Sequence, residues 1–432
     1  MSWKKGILRL LTISLMLSLT GCGFSQSVEE LFTQPVIPAE YRGLNEQLET
    51  LLQDGYVYVS PSGGSYIQSL QMKDLDGDGM AEAMALLEKE SDPKPLKIFV
   101  FKKLDGMYRR LCTMEYEAQG IESVYYEDLT GDGKREMIVG WQVDSDRKRV
   151  TVYNVGRDCL PLTDCVYTHF TAADIDQDGR PSLVILRNDE NRQPMVELYG
   201  WQSDILTLSY RGMLSSSMHE VSRGDLLSGY CRMGVPALFI TGITDENTAV
   251  TDILIWDDHE GLHNFLTDEK TGETSVVFPY GGQLPQDING DGVVEFPRYL
   301  CDSQDSAVAW LQYDAQGETQ EVEETYHCQA DGWYISLPNA WWGRVTGDYF
   351  ADSKETQVTV KLDEVPVLSL FSIPGDGREN RAVMGNRFVV KRLTEIIYSG
   401  EVYDAGAAAG MEEDLLRHSF YLTEESWKSQ NQ

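Results

Sequence analysis

An acidic pattern that occurs four times constrains the fold of this chain more than any other feature. Each copy has Asp at position 1, an oxygen-bearing residue at position 3, Asp at position 5 and Gly at position 6; the copies span 74–82, 128–136, 174–182 and 287–295. An apolar run follows each copy, and an aromatic residue before a turn lies 25 to 27 positions after the first Asp: Phe101, Tyr153, Tyr199 and Tyr313. A constant offset predicts one repeated structural unit.

The long interval between the third and fourth copies predicts a fifth repeat that lacks metal ligands. Within 229–240, Gly234 aligns with Gly179 of the third copy, and Trp256 supplies the aromatic residue before the next turn. Gly229, Cys231 and Met233 stand where the other copies carry oxygen ligands. We therefore expect this unit to keep its strands and to bind no ion.

The repeats begin at residues 74, 128, 174, 229 and 287, and each has room for about four strands. Four-stranded units of roughly 50 residues are typical of β-propellers. We therefore predict a mainly β chain: a five-bladed β-propeller with calcium loops over 55–326, followed by a small α+β domain over 327–432. A linear solenoid of hairpins is a weaker interpretation of the repeats, because the units are long and the chain would need caps.

In the C-terminal domain, core packing is favoured over a ligand platform for Trp341 and Trp342.

The spacing of the acidic residues favours calcium. Alternate residues of a tight Asp-x-Asp-x-Asp-Gly loop direct hard oxygens at one cation, and position 7 adds a backbone carbonyl. An EF-hand would need Glu at position 12 between two helices, but that position holds Ala85, Val139, Ile185 and Arg298. The acid stands at position 9 instead, as Glu82, Glu136 and Glu295, with Ser182 in the third copy.

These loops, each leading from an acid at position 9 into an apolar strand, resemble the FG-GAP or VCBS repeats of integrin α-like propellers. The resemblance implies about four calcium ions, and we expect the third site to be the weakest because Ser182 replaces a carboxylate. The implied ligands are the side chains of Asp74, Asp76, Asp78, Glu82, Asp128, Thr130, Asp132, Glu136, Asp174, Asp176, Asp178, Asp287, Asn289, Asp291 and Glu295, with the position-7 carbonyls of Met80, Lys134, Arg180 and Val293.

The N-terminus reads as an export signal over 1–21. Lys4, Lys5 and Arg9 precede a short apolar run, which ends in Leu-Thr-Gly before Cys22. This ending resembles a bacterial lipoprotein lipobox and implies lipidation of Cys22, a tether and lead-in over 22–54, and a membrane-anchored protein on the extracytoplasmic side.

Six further cysteines allow either disulfides or buried free thiols, and their spacing determines no pairing: Cys112, Cys159, Cys165, Cys231, Cys301 and Cys328.

The net charge and the sequence motifs narrow the range of functions open to this chain. The chain has 69 acidic against 36 basic residues and a net charge of -33, which excludes a nucleic-acid partner because phosphate recognition needs a basic face. His259-Glu-Gly-Leu-His263 matches a zinc-protease pattern, but that chemistry requires a helix and the repeat register places these residues in a hairpin turn.

We predict a cell-surface binding or adhesion module for an extracellular protein or polysaccharide. The alternative is a carbohydrate-active enzyme with paired carboxylates in a propeller channel.

Overall fold

The computed structural model describes residues 41–155, 159–246, 248–268, 270–279, 283–300 and 307–423. They form six antiparallel sheets of four or five strands, which follow one another along the chain. The mainly β class predicted from the repeats is therefore confirmed.

The strand bounds follow the repeats closely. Sheet 1 contains β1 (Val57–Tyr58), β2 (Leu70–Lys73), β3 (Glu82–Glu88), β4 (Leu96–Leu104) and β5 (Met107–Tyr116). Sheet 2 contains β6 (Gly120–Glu127), β7 (Glu136–Gln142), β8 (Lys148–Asn154) and β9 (Leu160–Tyr167). Sheet 3 contains β10 (His169–Ala173), β11 (Ser182–Asn188), β12 (Pro194–Gln202) and β13 (Ile205–Met213). Sheet 4 contains β14 (Glu220–Cys231), β15 (Val235–Ile243), β16 (Thr248–Asp257), β17 (Gly261–Asn264) and β18 (Val277–Pro279).

The last two sheets extend to the C-terminal part of the chain. Sheet 5 contains β19 (Glu295–Tyr299), β20 (Ala307–Tyr313), β21 (Thr319–Cys328), β22 (Trp333–Ser336) and β28 (Phe420–Leu422). Sheet 6 contains β23 (Val345–Ala351), β24 (Thr356–Leu362), β25 (Val365–Pro374), β26 (Phe388–Arg392) and β27 (Ile396–Val402). The domain boundary expected at residue 327 falls inside β21, and a strand from the far end of the chain completes sheet 5.

The apolar run after each acidic loop begins a strand, and the first five or six residues of that strand are buried in β3, β7 and β11, against the first three in β19. β3 and β7, for example, each have six buried residues followed by one half-buried residue. A strand covered on both faces reads as a continuous apolar run rather than as an alternating one. This explains why the runs stand out in the sequence.

Successive sheets share apolar cores. Trp141, Met84 and Ile98 belong to one core between sheets 1 and 2, and comparable cores join sheet 2 to 3, 3 to 4 and 4 to 5. Sheet 5 shares its core with sheet 6, which the sequence assigned to a separate domain. Trp341 is fully buried in this core and donates its indole N–H to the Ala409 carbonyl at 3.0 Å, so the packing role favoured for this residue is confirmed.

Helices cover parts of the outer sheets. α1 (Arg42–Gln53), within the predicted lead-in, packs Leu44 and Leu48 against Phe99 and Phe101 on the outer face of sheet 1. That face is therefore covered by a helix, where a closed ring of blades would place another sheet. Three short helices lie near sheet 6: α2 (Arg378–Arg381), α3 (Asp404–Ala408) and α4 (Glu413–His418).

One disulfide joins the first two sheets. Cys112 on β5 bonds to Cys159, just before β9, while Cys165, Cys231 and Cys328 take no part in this bond. The predicted export signal over 1–21, Cys22 and Cys301 lie outside the described residues. Within the part of the chain that the structure describes, no helix has the length and apolar character needed to cross a membrane.

Buried His327 should make the protein sensitive to mild acid. Burial lowers the pKa of this imidazole from 6.5 to about 3, while its Nε2 lies 2.7 Å from the Thr325 hydroxyl. The unfolded chain takes up a proton below about pH 6.5 and the folded chain does not, so this contribution to stability is lost as the pH falls from 6.5 toward 3. We expect His327 to account for a loss of about 2 kcal/mol between pH 7 and pH 5.

Urea titrations of the wild type and of His327→Gln at both pH values measure this effect. The free energy of unfolding of the wild type should fall by about 2 kcal/mol more than that of the variant. Equal losses in the two proteins would show that His327 does not carry the proton linkage.

Candidate metal loops

The acidic loops lie side by side along one edge of the stacked sheets. In sheets 1 to 3 each loop connects two adjacent antiparallel strands: β2 to β3, β6 to β7, and β10 to β11. The first two loops touch, because the Arg135 amide donates to the Leu75 carbonyl at 2.7 Å. The fourth loop touches sheet 4, where the Val294 amide donates to the Tyr230 carbonyl at 3.0 Å. The predicted copies therefore form one row of loops.

The first Asp of each loop shapes the backbone around it. Asp74 accepts the amides of Gly77 and Gly79, at 2.8 and 2.9 Å, through its two carboxylate oxygens. Asp128 and Asp287 accept the equivalent amides at 2.7 and 2.9 Å. The loop backbone thus holds the first carboxylate in place.

The third loop departs from this pattern. Positions 4 and 6 adopt a left-handed backbone, which glycine supplies in the other three loops, but position 4 here is Gln177 with a φ of 56°. Its Asp174 accepts the Gly179 amide at a longer 3.1 Å. Burial, and then the charge of Asp178, raise the pKa of Asp176. Backbone strain and the missing acid at Ser182 both support the expectation that this site is the weakest.

Three buried glutamates close their loops from position 9. Oε2 of Glu82, Glu136 and Glu295 accepts the amide of the second loop residue, at 2.9, 3.0 and 2.8 Å. Burial, opposed by these hydrogen bonds and reinforced by nearby carboxylates, raises the pKa of Glu136 and of Glu295 to about 7. Ionised carboxylates in such places are stabilised by a neighbouring cation.

The residue facing position 9 from the neighbouring strand differs among the four loops. Asn154 donates to Glu136 Oε1 at 2.8 Å, and Gln312 donates to Glu295 Oε1 at 2.7 Å. In the third loop the facing residue is Gly200, next to Ser182. In the first loop it is Lys102, whose ammonium lies 2.8 Å from Asp78 Oδ2. Burial lowers the pKa of Lys102, but the hydrogen bonds to Asp76 and Asp78 outweigh it and raise the pKa overall.

The donor sets of loops 2 to 4 fit a hard divalent cation. Ligand oxygens of three acids converge within 4.8 Å in loop 3 (Asp174, Asp176, Asp178) and in loop 4 (Asp287, Asp291, Glu295). Asp76 Oδ1, Thr130 Oγ1 and Asp174 Oδ1 are buried oxygens without a hydrogen-bond partner, in loops 1, 2 and 3. Such orphaned oxygens are the kind of donor that a calcium ion takes. The first loop brings Asp74, Asp76 and Asp78 equally close, but it already holds the Lys102 ammonium.

The position-7 residues predicted to offer carbonyls lie at the open end of each loop. Met80, Lys134, Arg180 and Val293 each donate their amide to the position-5 Asp, at 2.8 to 3.0 Å. The Arg180 guanidinium also pairs with Asp178 at 2.6 Å, on the exposed side of the third loop.

The fifth repeat, in sheet 4, has a different loop. Arg232–Gly234 forms a single 3-10 turn in which Met233 has a φ of 68° and is 84% exposed. Arg232 pairs with Asp314 of the next sheet at 2.7 Å. The unit keeps its strands, as predicted, and presents a guanidinium where the other loops present carboxylates.

The zinc-protease pattern lies in a hairpin, as the repeat register predicts. β16 ends at Asp257, whose carboxylate accepts the amides of His259 and Glu260, and β17 begins at Gly261. The two imidazoles therefore do not share one face of a helix.

A cleft of about 780 Å³ lies beside the fourth loop, and no sequence motif pointed to it. Tyr230 of sheet 4 and Tyr421 of β28 line it and are 49% and 44% exposed. Tyr421 stacks on Tyr334 with ring centroids 5.1 Å apart, and Asn289 of the loop forms part of the wall. These four residues come from four distant parts of the chain, so only the tyrosine-rich composition could have hinted at such a surface.

No protein-family model matches the chain, and no curated protein sequence matches it. Similar solved structures include Sqt1 from Chaetomium thermophilum, with 10% identity and a TM-score of 0.33 over 82% of this chain and 99% of that one. Another is BBS1N in complex with ARL6DN, soaked with lead, with 12% identity and a TM-score of 0.28 over 81% of this chain and 97% of that one. Identities and TM-scores this low transfer no function.

Proposed function

We propose that this chain is a lipid-anchored, extracytoplasmic binding module, built from propeller-type sheets and stabilised by calcium in its acidic loops. The observation that carries the binding role is the tyrosine-lined cleft beside the fourth loop. The lipobox-like sequence at Cys22 supports the anchor, and the row of loops supports the metal.

Calcium in the loops would neutralise carboxylates that the fold brings together. In the second loop Asp128, Thr130, Asp132 and Glu136 would hold the ion, and in the fourth loop Asp287, Asn289, Asp291 and Glu295 would do so. Asp174, Asp176 and Asp178 offer a weaker third site. Because the position-9 ligands Glu136 and Glu295 are the first residues of β7 and β19, the ion in the second and fourth loops would fasten the loop to the sheet core.

The cleft suits an extracellular protein or a glycan. Exposed tyrosine rings offer flat apolar faces with a polar tip, which is why they are enriched at binding surfaces. The fourth loop forms one wall, so a ligand in the cleft would lie close to the proposed ion. We therefore expect ligand binding to weaken when calcium is removed.

A screen of glycans and extracellular proteins with the wild type and with Tyr421→Ala tests the proposal. The variant should bind any ligand of the cleft at least about tenfold more weakly, because it removes an exposed ring of the wall. Tyr58→Ala is the control, since that residue is 42% exposed on sheet 1 and does not line the cleft. Equal binding by Tyr421→Ala and wild type would refute a role for the cleft.

The enzymatic alternative gains no specific support from the buried acids away from the loops. Asp252 accepts the Ser215 amide at 2.6 Å, and Glu324 accepts the Gly343 amide at 2.9 Å. Burial raises the pKa of Asp252 to about 6 and that of Glu324 to about 7. Both carboxyl groups fasten neighbouring segments to their sheets.

A further inference from the structure

Lys102 occupies the centre of the first acidic loop. It lies on β4, and its Nζ contacts Asp76, lies 2.8 Å from Asp78 Oδ2 and lies 3.3 Å from Glu82 Oε1. Its side chain is only 15% exposed. Three of the four carboxylates implied as calcium ligands in this loop therefore already contact a cation that belongs to the protein.

The facing position carries a positive charge only in the first of the four loops. It holds Asn154 in the second loop, Gly200 in the third and Gln312 in the fourth, all of them neutral. The backbone geometry around the first Asp is otherwise the same in loops 1, 2 and 4, with amides at 2.7 to 2.9 Å. The first loop thus differs from the second and fourth loops by Lys102 on a neighbouring strand and by Asp76 at position 3, where those loops have Thr130 and Asn289.

A divalent ion and the Lys102 ammonium would compete for the same oxygens. The acids of this loop offer ligand atoms within 4.8 Å of one another, so an ion among them would lie within a few ångströms of Nζ. Like charges at that distance repel strongly in a partly buried site. Withdrawal of the ammonium would require a largely buried side chain to move.

We infer that Lys102 takes the place of the metal in the first loop and closes that loop to calcium. The chain then binds calcium in the second, third and fourth loops, and the first loop is stable without it. The total number of bound calcium ions rests on the proposed function, whereas the closure of the first loop rests on the Lys102 contacts alone.

Counting bound calcium by equilibrium dialysis of the folded protein tests the inference. We expect three ions in the wild type and four in Lys102→Gln, which places in the first loop the residue type found at Gln312. Asp78→Asn should leave the wild-type count at three, because that loop holds no ion. Asp291→Asn, the same change at position 5 of the fourth loop, should reduce the count to two.

The outcomes separate this inference from the proposed function. Four ions in the wild type, or no additional ion in Lys102→Gln, overturn the inference even if calcium binds elsewhere. No ion in the wild type and one in Lys102→Gln refute the calcium function of the other loops and support the closure. Lys102→Asn, which reproduces the residue type of Asn154, provides a second variant, and Asp78→Asn tests the wild-type loop if neither lysine variant folds. A lower count in Asp78→Asn would also overturn the inference.

Discussion

Removal of calcium should lower the melting temperature of this protein by about 5 °C. At a free concentration about ten times the dissociation constant, each occupied loop stabilises the folded state by roughly 1.4 kcal/mol, so three loops contribute about 4 kcal/mol. The entropy of unfolding is roughly 2 cal/mol/K per residue, so in a chain of 432 residues 1 kcal/mol shifts the melting temperature by roughly 1 °C. The physical reason is repulsion between carboxylates when no cation is present. Three acids converge within 4.8 Å in the third and in the fourth loop, and in the second loop, beside the larger effect of burial, Asp128 and Asp132 help to raise the pKa of Glu136.

Differential scanning calorimetry in excess chelator and in excess calcium measures this shift. Magnesium at the same concentration serves as the ionic-strength control, because its rigid octahedral preference suits these loops less well. Melting curves that coincide in chelator and in calcium would show that calcium in the loops does not stabilise the fold.

Loss of the disulfide should have an effect of similar size. The bond between Cys112 and Cys159 closes a loop with a sequence separation of 47 residues, and restricting such a loop in the unfolded chain is worth about 4 kcal/mol. It also ties β5 of sheet 1 to the start of β9 in sheet 2, across their shared core. We therefore expect the double variant Cys112→Ser, Cys159→Ser to unfold at markedly lower denaturant concentration.

Urea unfolding of the oxidised wild type and of the double variant tests this expectation. Cys165→Ser, at a half-buried thiol of the same sheet, is the control and should change stability little. If the double variant were as stable as the control, the cross-link would contribute nothing to the fold.

The parts of the fold that depend on local patterns could be read from the sequence. The acidic loops and the apolar strands after them lie where the repeat predicts, because the glycine at position 6 and the buried strand that follows are local requirements. The acid at position 9 is likewise local, and Glu82, Glu136 and Glu295 all close their loops.

The features that the sequence did not reveal depend on pairing between distant segments. Lys102 reaches the first loop only because the strand register places Ala83 opposite Phe101. β28 joins β22 from almost ninety residues away, and it brings Tyr421 to the cleft. The outer face of sheet 1 is apolar like the others, so the sequence could not show that α1 covers it.

Anomalous diffraction from crystals grown with calcium tests most directly whether calcium occupies the row of acidic loops. We predict one anomalous peak among the carboxylates of each of the loops 128–136, 174–182 and 287–295. In the loop 74–82 we predict no anomalous peak and the Lys102 ammonium among the carboxylates. A map without peaks in the second to fourth loops, from crystals in saturating calcium, would contradict the proposed calcium role.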